Sequence, residues 1–256
     1  MGLYSRYVVP RLVTCACGTK PVIRQRQKVV PQAQGRVLEI GLGAGHNLPH
    51  YDPSQVERVV GIDPCEESWR LARPRVRAVP FDVEFKAGSA EDIPADDASF
   101  DTVLLTFSLC TIPDPAAAVK EARRVLRPSG KLVFCEHGEA PDAEVARWQA
   151  RVNPVWKRLF GGCNLNRNIV EIIGGNGFRL DDVDQMYFLS WWAILYGFDS
   201  KLLVRVINET TLFEVVMSFI KLANLSTPIA IPIDGRFLPP SFNERWSYLP
   251  PPKKES

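Results

Sequence analysis

Three glycines at alternate positions, Gly41, Gly43 and Gly45, follow directly on the apolar run Val37-Leu38-Glu39-Ile40, and a second such run closes on Gly61-Ile62-Asp63 about twenty residues later. This pattern ends a strand in a turn without Cβ atoms, where a ligand can lie against bare backbone amides. An acid at the tip of the next strand offers two carboxylate oxygens to a pair of ribose hydroxyls. With Glu39 before the glycines and Asp63 after them, the trio describes a nucleoside site rather than an ordinary tight turn. A dinucleotide fingerprint reads G-x-G-x-x-G/A. Here the glycines fall as G-x-G-x-G, and the last fingerprint position is His46, which would crowd a pyrophosphate.

The chain alternates strand and helix around that site. Residues 36–40, 58–63, 83–87, 100–107, 131–136 and 179–187 read as short strands, mostly apolar throughout, as in a sheet covered on both faces. Between the fourth and fifth, Asp114 is a natural N-cap and Pro115 a first-turn residue, with Ala118, Ala122 and Val125 on one face and Gly130 past the end. The pattern predicts a doubly wound α/β fold with a mostly parallel sheet, whose strand carboxyl ends gather Gly41, Asp63 and the Cys135-Glu136-His137 run along one edge. Residues 36–187 form this domain. Residues 1–35 are predicted as a helical cap, with Leu3, Tyr7, Val8 and Leu12 as its apolar stripe and Arg24, Arg26 and Lys28 on a solvated face.

Residues 188–256 are different in character. The stretch 188–198 is apolar with Trp191 and Trp192 but shorter than the ~20 residues needed to span a bilayer. Residues 188–225 are predicted as helices packed on the domain or in a homodimer interface, with peripheral membrane contact as the alternative. The proline-rich end is predicted to be irregular.

Composition narrows the function classes. A chain of 256 residues, 46% hydrophobic and 23% charged, can bury a full core. A net charge of +2 offers no broad basic field, so a nucleic-acid partner is not implied. The six cysteines lack paired metal-ligand spacing, which suits a reducing compartment, and no metal is expected. Cys15-Ala16-Cys17, the one close pair, reads as buried small residues. Without a secretory signal near Arg6 and Arg11, a cytoplasmic location is the expectation, with membrane association as its variant.

The chain resembles the class I S-adenosylmethionine-dependent methyltransferases in the run from Glu39 to Gly45, in Phe100-Asp101-Thr102-Val103-Leu104-Leu105 and in the stretch from Glu121 to Leu132. The resemblance implies S-adenosyl-L-methionine as cofactor. Gly41, Gly43 and Gly45 would then receive its methionine and ribose portion, with Asp63 and Pro64 at the ribose. The adenine would lie against Ser89, Ala90, Glu91 and Asp92. Many relatives carry an aspartate where Ser89 stands, so the bond to the adenine amino group passes to Asp92, with Glu91 second; Asp92 is also a candidate catalytic residue. Phe107, Leu109 and Cys110 would touch the methionine end or the substrate.

Finer motifs are similar to the alkyl thiol methyltransferase family: Asn47-Leu48-Pro49-His50-Tyr51, Ser108-Leu109-Cys110-Thr111, Glu136-His137, Asn153-Pro154 before Trp156, and the run Gly162-Cys163-Asn164-Leu165-Asn166-Arg167. They imply methyl transfer to sulfide or a small lipophilic thiol, whose reactive form is the thiolate. His137 is the candidate general base, because imidazole titrates near neutrality. Glu136 either orients it or binds backbone amides, and Asn164 and Arg167 either stabilise the anionic nucleophile or cap the following helix. Two other functions stay open: an N- or C-methyltransferase acting on a lipid or quinone, and a non-catalytic S-adenosylmethionine-binding protein.

Overall fold

The structure, a computed structural model, describes residues 9–183. Two helices, α1 (Val9–Cys17) and α2 (Lys20–Val29), lead through a short 3-10 turn (Val30–Gln32) into the first strand, β1 (Gly35–Ile40). A second 3-10 turn (Leu48–His50) precedes β2 (Val56–Asp63), α3 (Glu66–Val76) and β3 (Asp82–Ala87). Then come β4 (Phe100–Thr106), α4 (Pro115–Val125), β5 (Leu126–Cys135), α5 (Ala143–Leu159) and α6 (Ile169–Gly175).

The five strands pair in parallel in the order β3-β2-β1-β4-β5. The order reverses between β1 and β4, and in such sheets the crevice at the reversal is where ligands bind. Alternation along the strands divides the apolar side chains between two cores. Leu38, Ile40, Val60, Ile62, Val103 and Leu105 face α4 and α6, meeting Val119, Ala122, Ile169 and Ile173. On the other face, Val37, Val59, Leu104 and Val133 meet Val30, Leu48 and Tyr51. Each fully buried Leu, Ile or Val stabilises by ~1.5–3 kcal/mol. The central strands therefore need no polar face, which is why they read as continuous apolar runs.

α4 begins as its sequence predicts: Asp114 Oδ1 accepts from the amides of Ala116 and Ala117 at 3.1 and 3.0 Å. Its end differs. The helix stops at Val125 and the chain enters the sheet at once, Phe100 pairing with Leu126 and Thr102 with Lys131. Gly130 therefore sits in a bulge of β5 rather than after a helix, and the Arg127–Asp101 ion pair holds the bulge to β4. The sixth predicted strand is not formed over residues 179–183, where Arg179 Nε donates to Asp181 Oδ1 at 2.5 Å on an exposed loop; its remainder lies outside the described residues. Also outside them are Leu3, Tyr7, Val8 and the whole of 188–256, including Trp191 and Trp192. Among the described residues no helix is long and apolar enough to cross a membrane. Cys15 is exposed and Cys17 half-buried, so the pair is not the buried one its spacing suggested.

Candidate functional site

The glycine turn has the backbone the pattern demands. Gly41 and Gly43 have φ of 77° and 55°, in the left-handed region that other residues enter only at a cost. A Cβ on Gly41 would lie 2.7 Å from Ser108 Cβ, so the turn is packed directly against the loop that follows β4. A Cβ on Gly43 would meet nothing nearer than 3.8 Å, which leaves that side of the turn open to a ligand. The Gly43 amide donates to Asp63 Oδ2 at 2.9 Å and the Cys65 amide to Oδ1 at 2.8 Å. Burial raises the Asp63 pKa, and the two amides restrain the rise. Each oxygen keeps a lone pair for a further donor. Pro64 beside it is exposed.

Beneath the turn lies a buried polar network. Glu39 is 1% exposed; Asn47 Nδ2 donates to its Oε1 at 2.8 Å and the Tyr51 hydroxyl to its Oε2 at 2.7 Å. Burial pushes the Glu39 carboxyl up to about 7 against these bonds. Each oxygen thus has a donor below the turn, and Glu39 forms part of the turn's buried foundation.

Arg26 completes the network. It does not lie on a solvated face with Arg24 and Lys28: it is buried, and its Nη1 donates to Asn47 Oδ1 and to Thr106 Oγ1, both at 2.6 Å. Its guanidinium stands 5.1 Å from the centre of the Phe107 ring, within cation–π range. The signal was its spacing, one turn after Val22 and one before Val30, the positions where α2 and its extension are buried. His46, at the position that breaks the dinucleotide pattern, has Nε2 3.1 Å from the Thr14 carbonyl. A carbonyl only accepts, so that nitrogen carries the proton. Burial, then the Arg75 charge, lower its pKa to about 4.

In the segment expected to meet the adenine, Ala90 is buried, while the Ser89 hydroxyl donates to Glu91 Oε2. Glu91 Oε1 also accepts the Asp114 amide at 2.7 Å, so its carboxylate ties this loop to the start of α4. Asp92 is exposed, and its carboxylate has no such tie.

The loops after β4 and β5 meet beside the glycine turn. Phe107 has φ of 53°, rare for an aromatic residue, and its amide donates to the Cys135 carbonyl at 2.9 Å. Its ring stacks 6.4 Å from that of His137. Leu109 is fully buried. Glu136 Oε1 accepts the amides of Ser108 and Leu109 at 2.8 and 3.0 Å, so Glu136 joins the two loops and does not orient the imidazole. The imidazole instead faces Cys163, its Nε2 3.2 Å from Sγ, and Trp156 Nε1 donates to the same sulfur at 3.3 Å. Cys110 Sγ joins them: the ligand atoms of Cys110, His137 and Cys163 all lie within 4.8 Å of one another. The contact with Cys110, then those with His137 and Trp156, hold the Cys163 thiol well below its ordinary pKa. Burial lowers the His137 pKa, but the Cys163 sulfur outweighs it and leaves the imidazole above its usual value.

Asn164 and Arg167 brace this cluster. Asn164 Nδ2 donates to the Cys110 carbonyl at 2.9 Å, and Arg167 Nη1 donates to the carbonyl of Leu109. The capping role on α6 belongs to Asn168, whose Oδ1 accepts the Glu171 amide at 3.1 Å.

Comparison with known proteins agrees with this geometry. Residues 38–134 match a family described as a methyltransferase domain. Human thiol S-methyltransferase TMT1A is 33% identical over 180 residues, covering 67% of this chain and 72% of that protein. Human thiol S-methyltransferase TMT1B is 36% identical over 142 residues, covering 53% of this chain. The chain spans only 57% of human TMT1B and 54% of its rat counterpart. The crystal structure of YcgJ from Bacillus subtilis superposes with a TM-score of 0.55 at 23% identity, covering 72% of this chain and 80% of that one, and so shares the fold.

Proposed function

Because the chain belongs to the class I S-adenosylmethionine-dependent methyltransferases, close to the thiol S-methyltransferases, we propose that it methylates sulfide or a small lipophilic thiol. One observation carries the thiol reading. The loop that packs on Gly41 through Ser108 bears Cys110, two residues on, in a patch made of two sulfurs and an imidazole. A soft, polarisable patch of that kind beside the turn suits a sulfur acceptor better than an amine or a quinol.

The residues present fit the cofactor. The Gly43 face is open where a Cβ would intrude, and Asp63 holds spare lone pairs beside it for ribose hydroxyls. S-Adenosyl-L-methionine, when bound, supplies a methyl group already electrophilic on its sulfonium, so the protein needs to provide position and a deprotonated acceptor. Gly41, Gly43, Gly45 and Asp63 hold the donor end, with Ser89, Ala90 and Asp92 toward the adenine. Phe107 walls the space toward β4 and helps keep water from it, while Leu109, fully buried, packs within the core. The acceptor's proton has His137 as its nearest imidazole, and the engagement of Nε2 with Cys163 means the two act as a pair.

A labelled-methyl screen over sulfide, alkyl thiols, lipid amines and quinols tests the proposal. The expected product is a methyl thioether, abolished by Asp63→Ala. Methylamine or C-methyl products without thioether would overturn the thiol reading, and tight cofactor binding without transfer to any acceptor would overturn catalysis.

A further inference from the structure

The Cys110, His137 and Cys163 side chains converge from three separate loops, and we propose that they form a site for one thiophilic divalent cation, of the zinc type, with a fourth position open to the acceptor sulfur. This deepens the thiol reading and rests on it only for the identity of the fourth ligand.

The donor set comes first. Two thiolates and an imidazole select soft or borderline cations over magnesium or calcium. Three protein ligands with one open position is the arrangement of a catalytic rather than a structural zinc. The distances agree: tetrahedral bonds of ~2.3 Å to sulfur and ~2.0–2.1 Å to nitrogen put donor atoms about 3.5–3.8 Å apart. Here the three donor atoms lie within 4.8 Å of one another, with the His137 to Cys163 separation at 3.2 Å.

The surroundings hold these donors in place, as a metal site requires. Each donor has a neighbour in sequence that is bonded to another donor's loop. Leu109, before Cys110, gives its amide to Glu136 at 3.0 Å, and Glu136 precedes His137. Asn164, after Cys163, gives both its amide and its Nδ2 to the Cys110 carbonyl, each at 2.9 Å. Trp156 Nε1, a donor only, points at Cys163 Sγ, the arrangement expected around a sulfur carrying negative charge. Glu136 Oε2 is inaccessible to water and has no hydrogen-bond partner, so an uncompensated carboxylate oxygen sits in the loop of His137. A fixed positive charge beside it would balance that cost.

The site has a chemical consequence. A thiol bound at the open position gives up its proton to solvent and becomes a thiolate held by the cation; His137 then serves as a ligand, and its role as proton acceptor belongs to the metal-free protein. A lone pair of that sulfur forms the new C–S bond while the sulfonium C–S bond breaks, its electron pair staying on the donor sulfur. The neutral thioether is a poorer ligand than the thiolate and leaves.

The test uses the full chain carrying no polyhistidine tag, stripped with chelator and titrated with Co2+ and then Zn2+. One equivalent of Co2+ is expected to give thiolate-to-metal charge-transfer absorption and the ligand-field bands of a tetrahedral site, bleached by Zn2+. Cys110→Ser, Cys163→Ser and His137→Ala should each weaken binding by at least about 100-fold, the upper end of what outer-shell changes cost. Cys65→Ser should leave it unchanged, and heat of cofactor binding reports that each variant is folded. Absence of the spectrum in the wild type, or its survival when all three residues are replaced, overturns the site. A thiol methylation rate unchanged by chelation, with the spectrum present, overturns the open fourth position. Because the spectrum needs no methyl transfer, failure of the thiol reading is seen separately, as a normal spectrum without thioether product.

Discussion

Asp63 Oδ2 accepts the Gly43 amide at 2.9 Å, so the acid at the tip of β2 is bonded to the turn that follows its neighbour β1. The same carboxylate therefore shapes the cradle and presents its free lone pairs to a ribose. Replacing Asp63 by Ala removes both contributions. Charge-assisted hydrogen bonds contribute ~1.5–3 kcal/mol each, so two lost bonds predict cofactor affinity at least about 100-fold weaker by calorimetry. Undiminished heat from the variant would take Asp63 out of the site.

The two open-turn glycines should fail differently. Gly43→Ala meets only left-handed strain, ~1–2 kcal/mol, and should fold while binding cofactor poorly, because its methyl enters the open face. Gly41→Ala adds a collision with Ser108 and should lose a further ~1–3 kcal/mol. Thermal unfolding should rank wild type above Gly43→Ala above Gly41→Ala, and equal midpoints for the two variants would refute the packing argument.

Arg26→Met leaves Asn47 Oδ1 without its donor, Thr106 Oγ1 with Asn47 Nδ2 in place of two donors, and Glu39 without its nearby cation. Breaking a buried charge network of this kind costs ~3–5 kcal/mol. Urea unfolding should show a lower midpoint with an unchanged slope. A loss no larger than that of Arg24→Met, on the exposed face of α2, would show Arg26 to be dispensable.

Buried Glu39 and half-buried His46 act oppositely on stability across one range of pH. Glu39 is raised to about 7, so its folded form holds a proton more tightly, and its contribution is full below about 4.5 and lost as pH rises through 7. His46 is lowered to about 4, so its contribution is present above about 6.5 and lost as pH falls through 4. Glu39→Gln should unmask the histidine, giving stability that climbs from pH 4 to 6.5. His46→Gln should unmask the carboxyl, giving stability that declines from pH 4.5 to 7, by a drop on the order of 3 kcal/mol. Parallel profiles for the two variants would contradict both assignments.

The parts of the fold legible in the sequence are those governed by local pattern. β1, β2 and β4 announce themselves as apolar runs because both faces are covered, and Asp114-Pro115 marks a helix start that needs no tertiary help. The β5 bulge was not readable, since whether Leu126 continues a helix or joins a sheet depends on Phe100 beside it. Arg26 was half readable: its spacing matched the buried positions Val22 and Val30, but its charge argued for solvent until Asn47, Thr106 and Glu39 gave it partners. The convergence of Cys110, His137 and Cys163 left no trace in spacing, because each comes from a different loop and only the sheet brings the loops together. Glu136 could be narrowed to two roles from sequence, and the choice between them needed the amides of Ser108 and Leu109 in place.

Phe107 occupies a backbone shape that glycine or asparagine would take at lower cost, which has a practical bearing on engineering. A selection for heat resistance alone would be drawn to that position and would reward the exchange. It would also erase the aromatic surface that meets both the Arg26 guanidinium and the His137 ring, so libraries aimed at a hardier catalyst should leave residue 107 alone.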